Sequence, residues 1–213
     1  TANGIVTRVS ANDISRQGRP ATGVRVQTLD GEDYVVSVNK IVNTDEDYQG
    51  TFFPCWLKRG NSHAMVKEDV SYAANREEAC AILEDFRKRG IPEAVVNEHL
   101  QGDLIKFYGV QGTDFFYWFY PGPCSHSKFG LEKINGEAKG IPFKVSDLKK
   151  YSDMAAEVLN VPIYGGDCVV LPNGDVKIID FNDWPSFARC RNEAGVKIAE
   201  CIYNQALKKL KNE

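Results

Sequence analysis

The sequence predicts an α+β protein whose short, mainly antiparallel strands form two lobes around a cleft. Paired apolar runs separated by turn residues recur along the chain, and single helix-period segments stand between them. At 213 residues the chain is long enough for one substantial domain or two small lobes.

Each element has a local reason. Residues 22–29 and 32–38 flank Asp30-Gly31 and read as a hairpin, preceded by a basic loop over residues 15–20. Residues 52–58, from Phe52 to Lys58, form a buried strand that ends on a lysine. A polar loop with Gly60 and His63 follows, then a strand over 65–72. Asn75 caps a helix that carries Glu77 and Glu78 in its first turn and stops at Gly90. Its apolar positions Ala79, Ile82, Leu83 and Phe86 share one face. Ala94-Val95-Val96 is a strand, and residues 104–110 and 114–120 are two more around Gly112. Residues 121–145, rich in Gly, Pro, Lys and Ser, read as a mobile loop. A helix capped by Ser146 runs to about Leu159, and a last helix spans about 192–209.

Between these helices lies the stretch richest in chemistry. Residues 168–171 and 176–179 are apolar runs around the turn Pro172-Asn173-Gly174-Asp175. If they pair antiparallel, Asp167 enters the first strand and Asp180 leaves the second, at the same end of the hairpin. Asp180 and Asn182 are two apart and so face one way in an extended segment. Three hard oxygen ligands converging in this way suit Mg²⁺, which takes few protein ligands. A surface hairpin with ordinary polar ends is the alternative. Ile178, Ile179, Phe181, Trp184, Pro185 and Phe187 argue against it, because a carboxylate among so much apolar surface calls for a cation.

Composition excludes several classes. The chain is 43% hydrophobic and 26% charged, an ordinary globular balance. A net charge of −3 speaks against nucleic acid as the main partner. No apolar run approaches the roughly 20 residues of a membrane span, and no signal peptide opens the sequence. Six scattered cysteines with no CxxC pair read as free thiols of a reducing, cytoplasmic setting.

Four landmarks in order resemble the ATP-grasp superfamily, over about residues 42–206. Phe53-Pro54-Cys55-Trp56-Leu57-Lys58 is similar to the strand that ends in a phosphate-binding lysine. Val95 through Asp103 resembles the segment joining the two lobes, where adenine and ribose sit. Lys106 matches a basic residue on the following strand, and the stretch from Ala155 to Pro185 resembles the helix, first acid and acid-x-Asn metal motif. Two features depart from the pattern: the loop after Lys58 has only Gly60, and residues 1–41 do not resemble the usual flanking domain. They form an N-terminal hairpin segment, a remnant of that domain or part of a longer protein, before a small lobe at 42–97 and a large lobe at 98–213.

The resemblance implies ATP and Mg²⁺ as cofactors. Lys58 and Lys106 would hold phosphates, Glu98, His99 and Leu100 would border the adenine, and Asp103 would accept ribose hydroxyls. Asp167, Asp180 and Asn182 would hold one or two Mg²⁺ ions. For Lys58 the alternative is a strand-end lysine in solvent; for Lys106, an ion pair with Asp103 or Asp114; for Asp103, an acidic turn; for His99, a structural role. His63 and His126 read first as solvated loop residues. Arg189 and Arg191 follow the metal motif, where an arginine can clamp an acceptor carboxylate or phosphate bidentately. The implied activity is that of a ligase converting a carboxylate to an acyl phosphate for attack by an amine, on a small-molecule or peptide acceptor. The alternatives are an ATP-dependent kinase of the inositol-phosphate type, which Lys128, Lys133, Lys139 and Lys144 favour, and a nucleotide-binding module without catalysis. Oligomeric state is not legible.

Overall fold

The computed structural model describes residues 40–45, 48, 50, 52–122 and 131–212. The expected hairpin at 22–38, the basic loop at 15–20, and His126 and Lys128 lie outside the described residues. The chain divides into two compact units, 1–38 and 39–213.

Two antiparallel sheets organise the second unit. The first contains β1 (Lys40–Asn43), β2 (Cys55–Arg59), β3 (Val70–Ala73) and β4 (Glu93–Glu98) in the order β1-β4-β2-β3. The second contains β5 (Asp103–Val110), β6 (Phe116–Phe119), β7 (Ile163–Val170) and β8 (Val176–Asp183) in the order β6-β5-β7-β8. Helix α1 (Arg76–Lys88) lies between β3 and β4, α2 (Val145–Leu159) before β7, and α3 (Arg191–Asn212) after β8.

The first sheet buries one face against α1. Cys55, Leu57, Ala73, Ala94 and Val96 meet Ala79, Leu83 and Phe86 in one core, while Trp56 and Lys58 alternate to the other side. Helix α1 has the limits its sequence predicts. The Asn75 side chain accepts the Glu78 N–H at 2.9 Å. At the other end Gly90 takes φ +71°, and the Ile91 N–H reaches the Phe86 carbonyl at 2.9 Å. That 6→1 bond, with Ile91 and Phe86 both buried, is a Schellman ending.

The second sheet is covered on both faces. Ile105, Phe107, Tyr164, Cys168 and Val170 pack with Leu148 and Ala156 of α2, whereas Val110 and Phe115 pack with Cys190, Ala194 and Cys201 around α3. Burial in the first of these layers pushes the Cys168 thiol up to about 12. The five described cysteines are all free.

Three local expectations are corrected. Residues 65–69 are not strand: a short 3-10 helix, Lys67–Asp69, precedes β3 because Asp69 turns its carboxylate back onto the Met65 and Val66 N–H groups. Helix α2 starts at Val145, with Lys144 at the cap position and no side-chain cap, so Ser146 lies within its first turn. The described part of 121–145 is tied down. It holds a 3-10 helix, Leu131–Asn135, and the Lys139 and Ile141 N–H groups each donate to Asp103 at 2.8 Å.

Candidate functional site

The β7–β8 hairpin forms in the expected antiparallel register, and Asp167 stands directly opposite Asp180. It contains a feature that alternation alone does not show. Asp167 pairs with Asp180 but Cys168 pairs with Ile178, so Ile179 is an extra residue in β8. Val176, Ile178 and Phe181 all pack into the α2-side core, although 178 and 181 have opposite parity. The bulge reverses the alternation, so that Phe181 enters the core while Asp180 and Asn182 share a face with Asp167. Gly166 permits this, since a Cβ there would lie 2.1 Å from the Asp180 carbonyl oxygen.

The same face of the sheet carries Lys106. It is the register partner of Asp167, and its ammonium contacts both carboxylate oxygens at 2.8 and 3.1 Å. Lys106 therefore takes neither structural partner expected for it. Asp114 is held by Lys197 at 2.7 Å, and both Asp103 oxygens accept backbone N–H groups. Two carboxylates directly opposed across strands repel each other. Here each has a partner: Lys106 on Asp167, and the Asn182 amide, which donates to Asp180 Oδ2 at 2.7 Å. Among the described residues no three His, Cys, Asp or Glu side chains converge as a metal cage. The set present is two carboxylates and one amide oxygen. That fits Mg²⁺, which binds one or two carboxylates and takes its remaining oxygens from water and phosphate.

Lys58 lies in the other sheet, opposite Val70 and Val95 and on the side away from the Leu57 core. Trp56 shares that side and donates its indole N–H to His99 Nδ1 at 3.1 Å. Tyr72 packs edge-on against both rings. Burial lowers the His99 pKa from its ordinary value, in keeping with a neutral ring that accepts from Trp56. Glu98 is exposed at the end of β4, and the Leu100 carbonyl accepts from Asn135 at 3.3 Å. Beside this joining segment opens a cavity of about 420 Å³, lined by His99, Gln101, Gly102, Asp103, Asn135 and Lys139 among others. Lys58, Asp167 and Asp180 are not among its lining residues.

Downstream of β8, Trp184 is exposed with φ +40°, and Phe187 packs on Tyr108 at 5.3 Å. Arg189 sits with its guanidinium 4.2 Å from the centre of the Phe119 ring, and Arg191 opens α3. His63 is exposed in the loop after β2. One residue that sequence reasoning misses is Asp69, which is fully buried at the base of that loop. It accepts from Met65, Val66 and Arg89 and lies 3.8 Å from Arg59. Burial alone would raise its pKa; the N–H bonds and the Arg89 charge outweigh this and hold it below the usual carboxylate range. An acid shortly after a strand-end arginine is the only local signal, and its partners come from three elements.

Comparison with known proteins yields two unrelated likenesses. A D-alanine–D-alanine ligase from Bacillus anthracis, solved in complex with ATP, superposes with a TM-score of 0.56 at 17% identity, covering 82% of this chain and 61% of that one. The D-alanine–D-alanine ligase of Coxiella burnetii gives 0.53 at 12% identity, covering 82% and 53%. A RimK domain ATP-grasp protein from Sphaerobacter thermophilus gives 0.50 at 14% identity, covering 78% and 58%. The described unit has the ATP-grasp fold, an α+β arrangement of two antiparallel sheets. The chain spans little more than half the length of these ligases.

Residues 1–41 match a different family model, the DNA gyrase C-terminal domain, a β-propeller. One subunit of the DNA gyrase of Synechocystis sp. is 49% identical over 47 residues, which amount to 22% of this chain and 6% of that protein.

Proposed function

We propose that residues 42–213 form an ATP- and Mg²⁺-dependent ligase, with 42–97 as the small lobe and 98–213 as the large lobe. The observation that carries this reading is the opposed pair Asp167 and Asp180, flanked by Lys106 and Asn182 on one sheet face of an ATP-grasp fold. Asp167, Asp180 and Asn182 would hold the metal, which when bound neutralises charge on the nucleotide phosphates.

The chain's own groups then have distinct tasks. Lys58, on the same side of its strand as Trp56, offers a compact charge to phosphate oxygens. Lys106 already bears on Asp167, one of the proposed metal ligands, and would offer its charge to a phosphate oxygen there. Glu98, His99 and Leu100 border the adenine, and Asp103 lines the adjoining cavity, its carboxylate fixed by two N–H donors. In the reaction an acceptor carboxylate oxygen attacks the γ-phosphorus as the bond to ADP breaks. An amine then attacks the acyl carbon, loses a proton and expels phosphate. No protein nucleophile is needed, because positioning and charge stabilisation supply the catalysis. The acceptor is a small molecule or peptide. Residues 1–38 belong to a separate unit that precedes the catalytic one in the chain, and the stretch 1–41 is similar to part of a gyrase C-terminal domain.

The test is Asp180→Ala. We expect Mg²⁺-dependent ADP release to fall to background while far-UV circular dichroism is unchanged; retained turnover would sink the site. In the unaltered chain, ADP release that requires an added amino acid supports the ligase. ADP release with a phosphorylated polyol marks a kinase instead, and tight ATP binding without turnover a binding module.

A further inference from the structure

We propose that Arg189 holds an oxyanion of the acceptor, presented over the catalytic face by the ring of Phe119. This rests on the enzyme reading above and adds to it the residue that reads the acceptor's charge.

The placement follows from strand register. Phe119 is opposite Lys106, Lys106 opposite Asp167, and Asp167 opposite Asp180, a single row across four strands. Neighbouring strands lie about 4.8 Å apart, which puts Phe119 roughly 10 Å from Asp167 and roughly 15 Å from Asp180. A phosphoryl group and a small acceptor fit that interval. At 4.2 Å from the ring centre, the Arg189 guanidinium is seated on Phe119 by cation–π attraction.

The segment carrying Arg189 is anchored on both sides. Phe187 packs against Tyr108 at 5.3 Å and Phe115 at 6.3 Å. Cys190 is buried, and its N–H reaches the Phe187 carbonyl at 3.0 Å. The backbone beside Arg189 is thereby held, and the exposed guanidinium lies over Phe119, where its planar fork of donors can meet a ligand. Among the described residues no carboxylate pairs with it, whereas Lys106 in the same row is neutralised by Asp167. An arginine without an acid among the described residues, one row-length from two candidate metal ligands, suits the carboxylate or phosphate of a substrate.

The experiment uses the full chain saturated with Mg–ADP, titrated calorimetrically with malonate and, separately, with inorganic phosphate. Wild type, Arg189→Met, Arg189→Lys and the remote control Lys150→Ala are compared. We expect one probe to bind wild type and to weaken about ten-fold or more in Arg189→Met, the loss of a charged hydrogen-bonding partner. Arg189→Lys should recover part of the loss, and Lys150→Ala should match wild type. Stronger malonate binding assigns a carboxylate acceptor, stronger phosphate binding a phosphorylated one. The proposal is overturned if Arg189→Met binds the probes like wild type, or if wild type takes up Mg–ADP but neither probe. Failure of Mg–ADP itself to bind would instead overturn the nucleotide reading, and the first titration shows which has failed.

Discussion

Asp69 and His99 show how single side chains set conditions for this fold. Asp69 gathers Arg59, Arg89 and the Met65 and Val66 N–H groups at a fully buried carboxylate. Removing a buried acid strands its partners, so we predict that Asp69→Ala costs about 2–4 kcal/mol, less than the full value for a buried pair because both arginines are partly exposed. Denaturant midpoints at constant m-value would measure it. His99 supplies a pH test. Its folded pKa is below the ordinary value, about 6.5, so the unfolded chain takes up a proton first as pH falls. The stability it contributes is present above that ordinary value and is lost as pH drops below it. His99→Gln can still accept from Trp56 but does not titrate. Its melting temperature should fall less than that of wild type between about pH 7.5 and 5.5; equal slopes would refute the assignment.

At the scale of the element, the β8 bulge and helix α2 carry the testable claims. If Ile179 occupied an ordinary paired position instead of a bulge, Asp180 would point towards the core with Ile178. We predict that deleting Ile179, which leaves Asp180 next to Ile178 in regular alternation and still opposite Asp167, retains Mg²⁺-dependent turnover, and that Ile179→Ala, which keeps the bulge, retains it within about two-fold, since the side chain is 42% exposed. Steady-state ADP release on both variants decides this. In α2, Ser152 is fully buried and its hydroxyl has no hydrogen-bond partner among the described residues. Ser152→Ala removes an unsatisfied group and favours the helix, so it should stabilise the protein by about 1 kcal/mol. A lowered melting temperature would show that the hydroxyl has a partner after all.

For the whole molecule, every residue of the candidate site lies in the unit 39–213. We predict that a chain starting at Asn39 binds Mg–ATP with the same affinity as the full chain. Saturation at about 100 times Kd should stabilise each by about 2.7 kcal/mol, read as an upward shift in melting temperature that Asp180→Ala lacks. Residues 1–47 are the least legible stretch of the sequence. Two apolar runs around Asp30-Gly31 are a common local pattern, and nothing in it points to the gyrase C-terminal domain that residues 1–41 match.

What the sequence determined is local. Asn75 and Gly90 bound α1 because a cap and a left-handed glycine act within one turn. Asp180 and Asn182 face one way because an extended chain alternates. The tertiary structure decided the rest. Asp167 is the partner of Lys106, 61 residues away, Asp103 is satisfied by Lys139 and Ile141, and Arg189 rests on Phe119. Each depends on which strand lies beside which and in what register, and a one-residue bulge is enough to change the answer.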